Sequence, residues 1–219
     1  PAWFITYGMS DRLRLYRSEK HPEYDWKTLK EIAEMMGKDP LTAQFDLTVE
    51  EGKPLSFLTM NHYEEDIRTA LNHPTSMVCS DASAIGRHDL FMKQNANPRA
   101  YGIFPITFRK YVRGETRGEM PEEVGTKLLT IQQFVRKSTS LPAQTIGLLD
   151  RGLIREGLWA DSVIFDPERL SDVATYADTH RYPVGIDYVL VNGKIVFEKG
   201  KHTGALPGKV LRGPGCKEK

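Results

Sequence analysis

Along the first 81 residues, apolar positions recur in two rhythms, one suited to strands and one to helices. "WFITYG" (3–8) is a compact aromatic and β-branched run that predicts a strand. In "DWKTLKEIAEMMGKDP", Leu29, Ile32, Ala33 and Met36 fall at helical spacing, with Asp25 available as a cap and Gly37 and Pro40 closing the end. A second helix is expected from about Pro40 to Glu51, stopped by Gly52 and Pro54, and "PLSFLTM" (54–60) reads as the next strand. "YEEDIRTALNHP" sets Ile67, Ala70 and Leu71 on one face, with acids early and His73-Pro74 at the end, as a helix requires. "TSMVCSD" (75–81) follows directly as a strand. The order strand, helices, strand, helix, strand is the pattern of a parallel α/β sheet or barrel.

Residues 85–105, with Asn95, Asn97, Pro98, Gly102 and Pro105, read as a long loop. Helices are expected around "ITFRKYVRG" and across "PEEVGTKLLTIQQFVRKST", the latter with Pro121 in its first turn and Leu128, Ile131 and Val135 as its stripe. The rhythm then changes. "ADSVIFDP" (160–167) is a short apolar strand, and "DYVLVNGKIVFEKG" (187–200) is two strands around Asn192-Gly193, a strong hairpin signal. The chain thus divides into an α/β part (1–147), a β part (148–212) and a polar tail (213–219).

Composition narrows the partners more than the fold. Of 219 residues, 30 are Lys or Arg and 29 Asp or Glu, a net charge of +1 that offers no electrostatic footprint for nucleic acid. Cys79 and Cys216 lie far apart, too few for a disulfide framework, so a reducing compartment is expected. No apolar stretch approaches the length of a membrane span. A soluble, cytoplasmic protein is the expectation.

Candidate chemistry starts at Asp81. In α/β sheets and barrels, catalytic groups gather at the carboxyl ends of strands, which is where the predicted strand 75–81 places this carboxylate. A turn or helix-cap role competes evenly. Arg99, in the long loop "NANPRAYGIFP", can clamp a carboxylate through two parallel hydrogen bonds, although a plain surface arginine is the more common case. The six histidines (21, 62, 73, 88, 180 and 202) form no His-x-His or HExxH pattern. His62 and His88 are the least ordinary by position. Cys79 reads as a buried strand residue.

A resemblance carries further than residue chemistry alone. "KSTSLPAQTIGLLDRGLIREGLWADSVIFDPERL" (137–170) is similar to the closing signature of the amidohydrolase superfamily, through Thr139, Pro142-Ala143, Gly147, Arg151-Gly152, Ile154, Gly157, Ala160-Asp161 and Asp166-Pro167. "SDASA" followed by "NPRAYGIFPITFRKYVR" resembles the D-aminoacylase branch, the N-acyl-D-amino-acid deacylases, with Ala82 in place of the usual Gly and Asn97 in place of the usual His. The resemblance covers most of residues 55–212. It implies a zinc-dependent (β/α)8 barrel with a small β-sandwich, acting on small-molecule N-acyl amino acids. By the match, Asp81 would be the aspartate after the last barrel strand, taking a proton from the zinc-bound water and passing it to the leaving amine. Asp81 would also be a weak ligand for a second metal. Arg99 would hold the substrate α-carboxylate, with Tyr101 beside it.

The family's histidine and cysteine zinc ligands cannot be placed in this sequence, so the main ligands are expected outside this chain. About three strand candidates precede Asp81, whereas a closed barrel needs eight strands and typically about 250 residues. The resemblance therefore implies the C-terminal part of a deacylase, inactive alone. Two other readings stay open. One is a non-catalytic binding module that needs a partner or a homo-oligomer to cover its strand edges. The other is a dihydroorotase- or hydantoinase-like enzyme acting on cyclic amides.

Overall fold

The computed structural model describes residues 5–59, 62–83, 85, 97–117, 124–176 and 178–213. They fall into two units, residues 1–63 and residues 64–219.

In the first unit, β1 (Leu13–Leu15) pairs antiparallel with β2 (Phe57–Thr59), Arg14 standing opposite Leu58. The first strand is therefore not the expected 3–8 run, whose described residues Ile5 and Thr6 are helical. Leu13 and Leu15 are fully buried on either side of the half-buried Arg14, which is strand alternation in miniature. Helix α1 (Leu29–Met36) is capped by Thr28 rather than Asp25. The Thr28 hydroxyl accepts from the Glu31 amide, and the Glu31 carboxylate accepts from the Thr28 amide. Asp25 instead accepts from the Ser18 amide at 2.7 Å. Helix α2 (Pro40–Glu51) keeps its expected span, with Asp39 capping its start and the left-handed Gly52 ending it. Leu29, Ala33 and Ala43 pack on Leu13, while Ile32 and Leu47 pack on Leu15.

The end of α2 anchors the preceding loop. The Glu51 carboxylate, whose side chain is 1 % exposed, accepts from Ser18 Oγ at 2.7 Å and from the amides of Glu19 and Lys20 at 2.9 and 3.3 Å. These donors, led by Ser18, with Lys53 nearby, hold its pKa at about 2, below the ordinary 4.5. Because the folded pKa is depressed, the resulting stability is fully present above pH 4.5 and is lost as pH falls through about 2. Amide protection factors in the β1–α2 region are expected to fall as pH drops through that window, and Glu51→Gln is expected to flatten the dependence. Unchanged pH dependence in E51Q would assign acid unfolding elsewhere.

The second unit opens with α3 (Glu64–Asn72). The segment that follows joins no ladder, so the expected strand 75–81 is not formed among the described residues. A strand needs a neighbour for its amides, and here Val78 N donates to the Lys137 carbonyl of a helix at 3.1 Å. Cys79, expected to be buried, is exposed. Arg99 lies in the first turn of α4 (Arg99–Phe108) rather than in a loop. That helix contains Pro105 and continues as a π-helical turn over Arg109–Arg113.

The π turn explains why the next helix begins late. Thr126 N donates to the Lys110 carbonyl at 2.9 Å, and Leu128 and Leu129 donate to that of Tyr111 at 2.8 and 2.9 Å. Those amides are thereby withdrawn from any helical ladder, and Leu128 precedes the helix it was expected to stripe. Helix α5 (Ile131–Ser138) starts only after Thr130, which forms a capping box with Gln133. Pro121 lies outside the described residues, as do His88 and Cys216. Phe108, buried at the end of α4, meets Phe134 and Phe165 edge-on at ring separations of 5.2 and 5.5 Å and packs with Leu129 and Leu170.

After the short α6 (Ser140–Thr145) comes a four-stranded sheet in the order β3 (Ser162–Phe165), β4 (Ile186–Val191), β5 (Lys194–Glu198), β6 (Lys201–His202). The predicted hairpin is present, with Asn192 and Gly193 both at positive φ (48° and 77°). His202 lies in β6. All ladders among the described residues are antiparallel, so the parallel pairing predicted from the alternation is not made between them.

The signature stretch fastens this sheet. Arg151 donates to Asp161 and, at 3.0 Å, to Asn192 Oδ1. Asp161 accepts from the Asn192 amide at 2.7 Å, and Gly193 N donates to the Ala160 carbonyl at 2.9 Å. Gly152 beside it is at φ 80°, and a Cβ there would lie 2.8 Å from that of Ala143. No helix among the described residues is long and apolar enough to cross a membrane.

Candidate functional site

The segment leading to Asp81 is fixed from α5. Besides the Val78 bond, Lys137 Nζ donates to the His73 carbonyl at 2.5 Å, the Ser76 carbonyl at 3.2 Å and Ser76 Oγ at 2.9 Å. Lys137 is buried, and that burial, with Arg136 adjacent, lowers its pKa below the usual lysine value. Three oxygens around the ammonium offset the desolvation and tie the end of α3 to the run that follows it.

Asp81 ends that run at φ 46°, a left-handed conformation that aspartate tolerates better than most residues. Its carboxylate is 87 % exposed and meets Arg99, Nη2 to Oδ2, at 2.8 Å. Arg99 reaches it from the start of α4, where the Asn97 side chain accepts from the Arg99 amide at 3.1 Å. The expected acid and the expected clamp, 18 residues apart, are thus brought together.

Tyr101, two residues further along α4, is held by other partners. Its hydroxyl lies 3.1 Å from His180 Nδ1, and its ring meets those of His180 and Tyr182 edge-on at 5.7 and 5.9 Å. His180 is buried, and sequence spacing gave no sign of it, since it is 79 residues distant. Lys137 was equally invisible. His73 does not join Asp81; it hydrogen-bonds Thr75 at 2.9 Å.

Behind α4, Asp172 takes two arginines. Arg109 Nε approaches at 2.8 Å and Arg117 Nη1 at 3.1 Å, and both Asp172 and Arg109 are buried. This cluster braces the helix carrying Arg99 against the residues that follow β3.

As for metal, no three His, Cys, Asp or Glu side chains converge among the described residues. Asp81 offers one carboxylate, already engaged by Arg99, so these residues do not make up a zinc site.

Residues 100–197 match the model of the Amidohydrolase family. N-acyl-D-glutamate deacylase of Alcaligenes xylosoxydans xylosoxydans is 34 % identical over 202 residues, which is 92 % of this chain and 36 % of that protein. Over most of its length the chain is similar to N-acyl-D-amino-acid deacylases. D-aminoacylase of the same organism is 31 % identical over 87 % of this chain and 34 % of its own length. Among solved structures, N-acyl-D-glutamate deacylase from Bordetella Bronchiseptica, complexed with zinc and a phosphonate mimic of the tetrahedral intermediate, superposes with a TM-score of 0.64. It is 32 % identical over 89 % of this chain and 36 % of that one. The chain thus spans about a third of the deacylases it matches, and these neighbours support an α/β amidohydrolase fold.

Proposed function

We propose that this chain is the C-terminal part of a zinc-dependent N-acyl-D-amino-acid deacylase, holding its acid–base group and its substrate clamp. The 2.8 Å pair of Asp81 and Arg99 carries this reading. Asp81 accepts a proton from the attacking water as the tetrahedral centre forms. It then returns that proton to the amide nitrogen as the C–N bond breaks, releasing a carboxylate and a free D-amino acid. Arg99 binds the substrate α-carboxylate, and Tyr101, set by His180, walls that end of the site. The described residues furnish no donor set for zinc, so the chemistry assigned to this chain is confined to these side chains. In this reading residues 1–147 are part of the barrel and residues 148–212 part of its β-sandwich, in a soluble cytoplasmic enzyme.

Turnover tests the proposal. The 219-residue chain alone is expected to hydrolyse no N-acetyl-D-amino acid. Joined to the part of the Alcaligenes glutamate deacylase that it does not match, it is expected to release D-amino acids from N-acetyl-D- but not N-acetyl-L-substrates. Robust turnover by the chain alone would overturn the partial-site reading. Hydrolysis of cyclic amides instead would favour the hydantoinase-like alternative, and a folded but inert chimera would favour the binding module.

A further inference from the structure

Arg99 does more than face a carboxylate. Its Nε donates to the carbonyls of Ser80 at 3.1 Å and Asp81 at 3.2 Å, and its Nη2 donates to the Asp81 carbonyl at 3.2 Å as well as to Oδ2 at 2.8 Å. Three of the four contacts are therefore to backbone. Upstream, the run is fixed at Ser76 and Val78 by Lys137. Among the described residues no other hydrogen bond holds positions 79–83, so the turn at Asp81 hangs on this one guanidinium. Its planar fork suits the task, because one edge meets two successive carbonyls that a lysine ammonium would address as a point charge.

We propose that Arg99 is a positioning residue for Asp81, holding the backbone of the turn so that the carboxylate is presented in one orientation. The catalytic consequence rests on the deacylase reading, whereas the structural role does not. Only the Nε and Nη2 edge is used for the turn. Nη1 makes no hydrogen bond to a described residue and is the atom left for a substrate carboxylate. Likewise Asp81 Oδ2 is held while Oδ1 takes no bond from a described residue, leaving one oxygen for proton transfer. A single arginine would then set the distance between the bound end of the substrate and the group that handles its proton.

Backbone ¹⁵N relaxation on the 219-residue chain tests the structural role without any turnover. Order parameters at residues 80–82 are expected near about 0.85 in the parent and below about 0.6 in Arg99→Ala. Asp81→Asn is expected to keep them high, because the three carbonyl contacts survive. Unchanged order in R99A, or equal loosening in D81N, would overturn the proposal; the second result would assign the contact to charge pairing alone. Arg99→Lys, which keeps the charge, guards against loss of fold and is expected to loosen the turn as R99A does. In the completed chimera R99K is expected to lower kcat by about 100-fold in addition to raising KM, as misplacement of a reacting group does. A rise in KM with kcat unchanged would leave Arg99 a substrate clamp only. If the parent chimera hydrolyses no N-acyl-D-amino acid, the deacylase reading fails while the relaxation data still decide the anchor.

Discussion

Asp81→Asn in the completed chimera is expected to lower kcat by about 10²- to 10⁴-fold, the usual worth of a positioned general acid–base group. Asparagine has the same shape, and its amide oxygen can keep the bond that Oδ2 now accepts from Arg99 Nη2. The Ser80 and Asp81 carbonyls are untouched, so the turn and the clamp persist. What disappears is a group able to hold a proton between the attack of water and the departure of the amine. KM is therefore expected to stay within about threefold, since the interaction removed acts in the transition state. Steady-state kinetics with a thermal melt on the same sample would check this. A kcat within twofold of the parent would remove Asp81 from proton transfer and leave it as a turn residue.

Asp172→Ala is expected to be the most destabilising single change in the second unit, at about 3–5 kcal/mol. Arg109 is 3 % exposed, and without Asp172 its charge would stay buried with that carboxylate gone. Arg109→Met is expected to cost less. It leaves Asp172 with Arg117, which contacts both its carboxylate (3.1 Å) and its carbonyl (3.0 Å) and is exposed enough to be partly hydrated. Urea unfolding of both variants would test the order. Equal costs would mean that the three groups act as one network rather than through the Arg109–Asp172 pair.

What the sequence disclosed follows the range of each interaction. The hairpin was legible because Asn192 and Gly193 encode their own positive φ angles and need no distant partner. Helices α1 and α2 were legible from stripe and stop, and only the cap was misread, because Thr28 with Glu31 offers a reciprocal pair that Asp25 does not. The run at 75–81 has strand composition, but no adjacent strand meets it among the described residues, and Lys137 does so instead. The start of α5 was hidden for a related reason. The amides of Thr126, Leu128 and Leu129 are claimed by a π turn that no periodicity announces. At the site, Asp81 and Arg99 were singled out by their place in the predicted strand and loop, and Tyr101 through family resemblance, but spacing alone could not have paired residues 81 and 99. His180 had no signal at all, since its meeting with Tyr101 is purely tertiary.

The contacts among Arg151, Asp161 and Asn192 bear on how such proteins are recognised. These residues lie in or touch the stretch that resembles the superfamily's closing signature, yet what they do in this fold is hold a hairpin tip against a loop. A search keyed to that stretch recognises a fastening. Two proteins can share it and differ in what they hydrolyse, or in whether they hydrolyse anything.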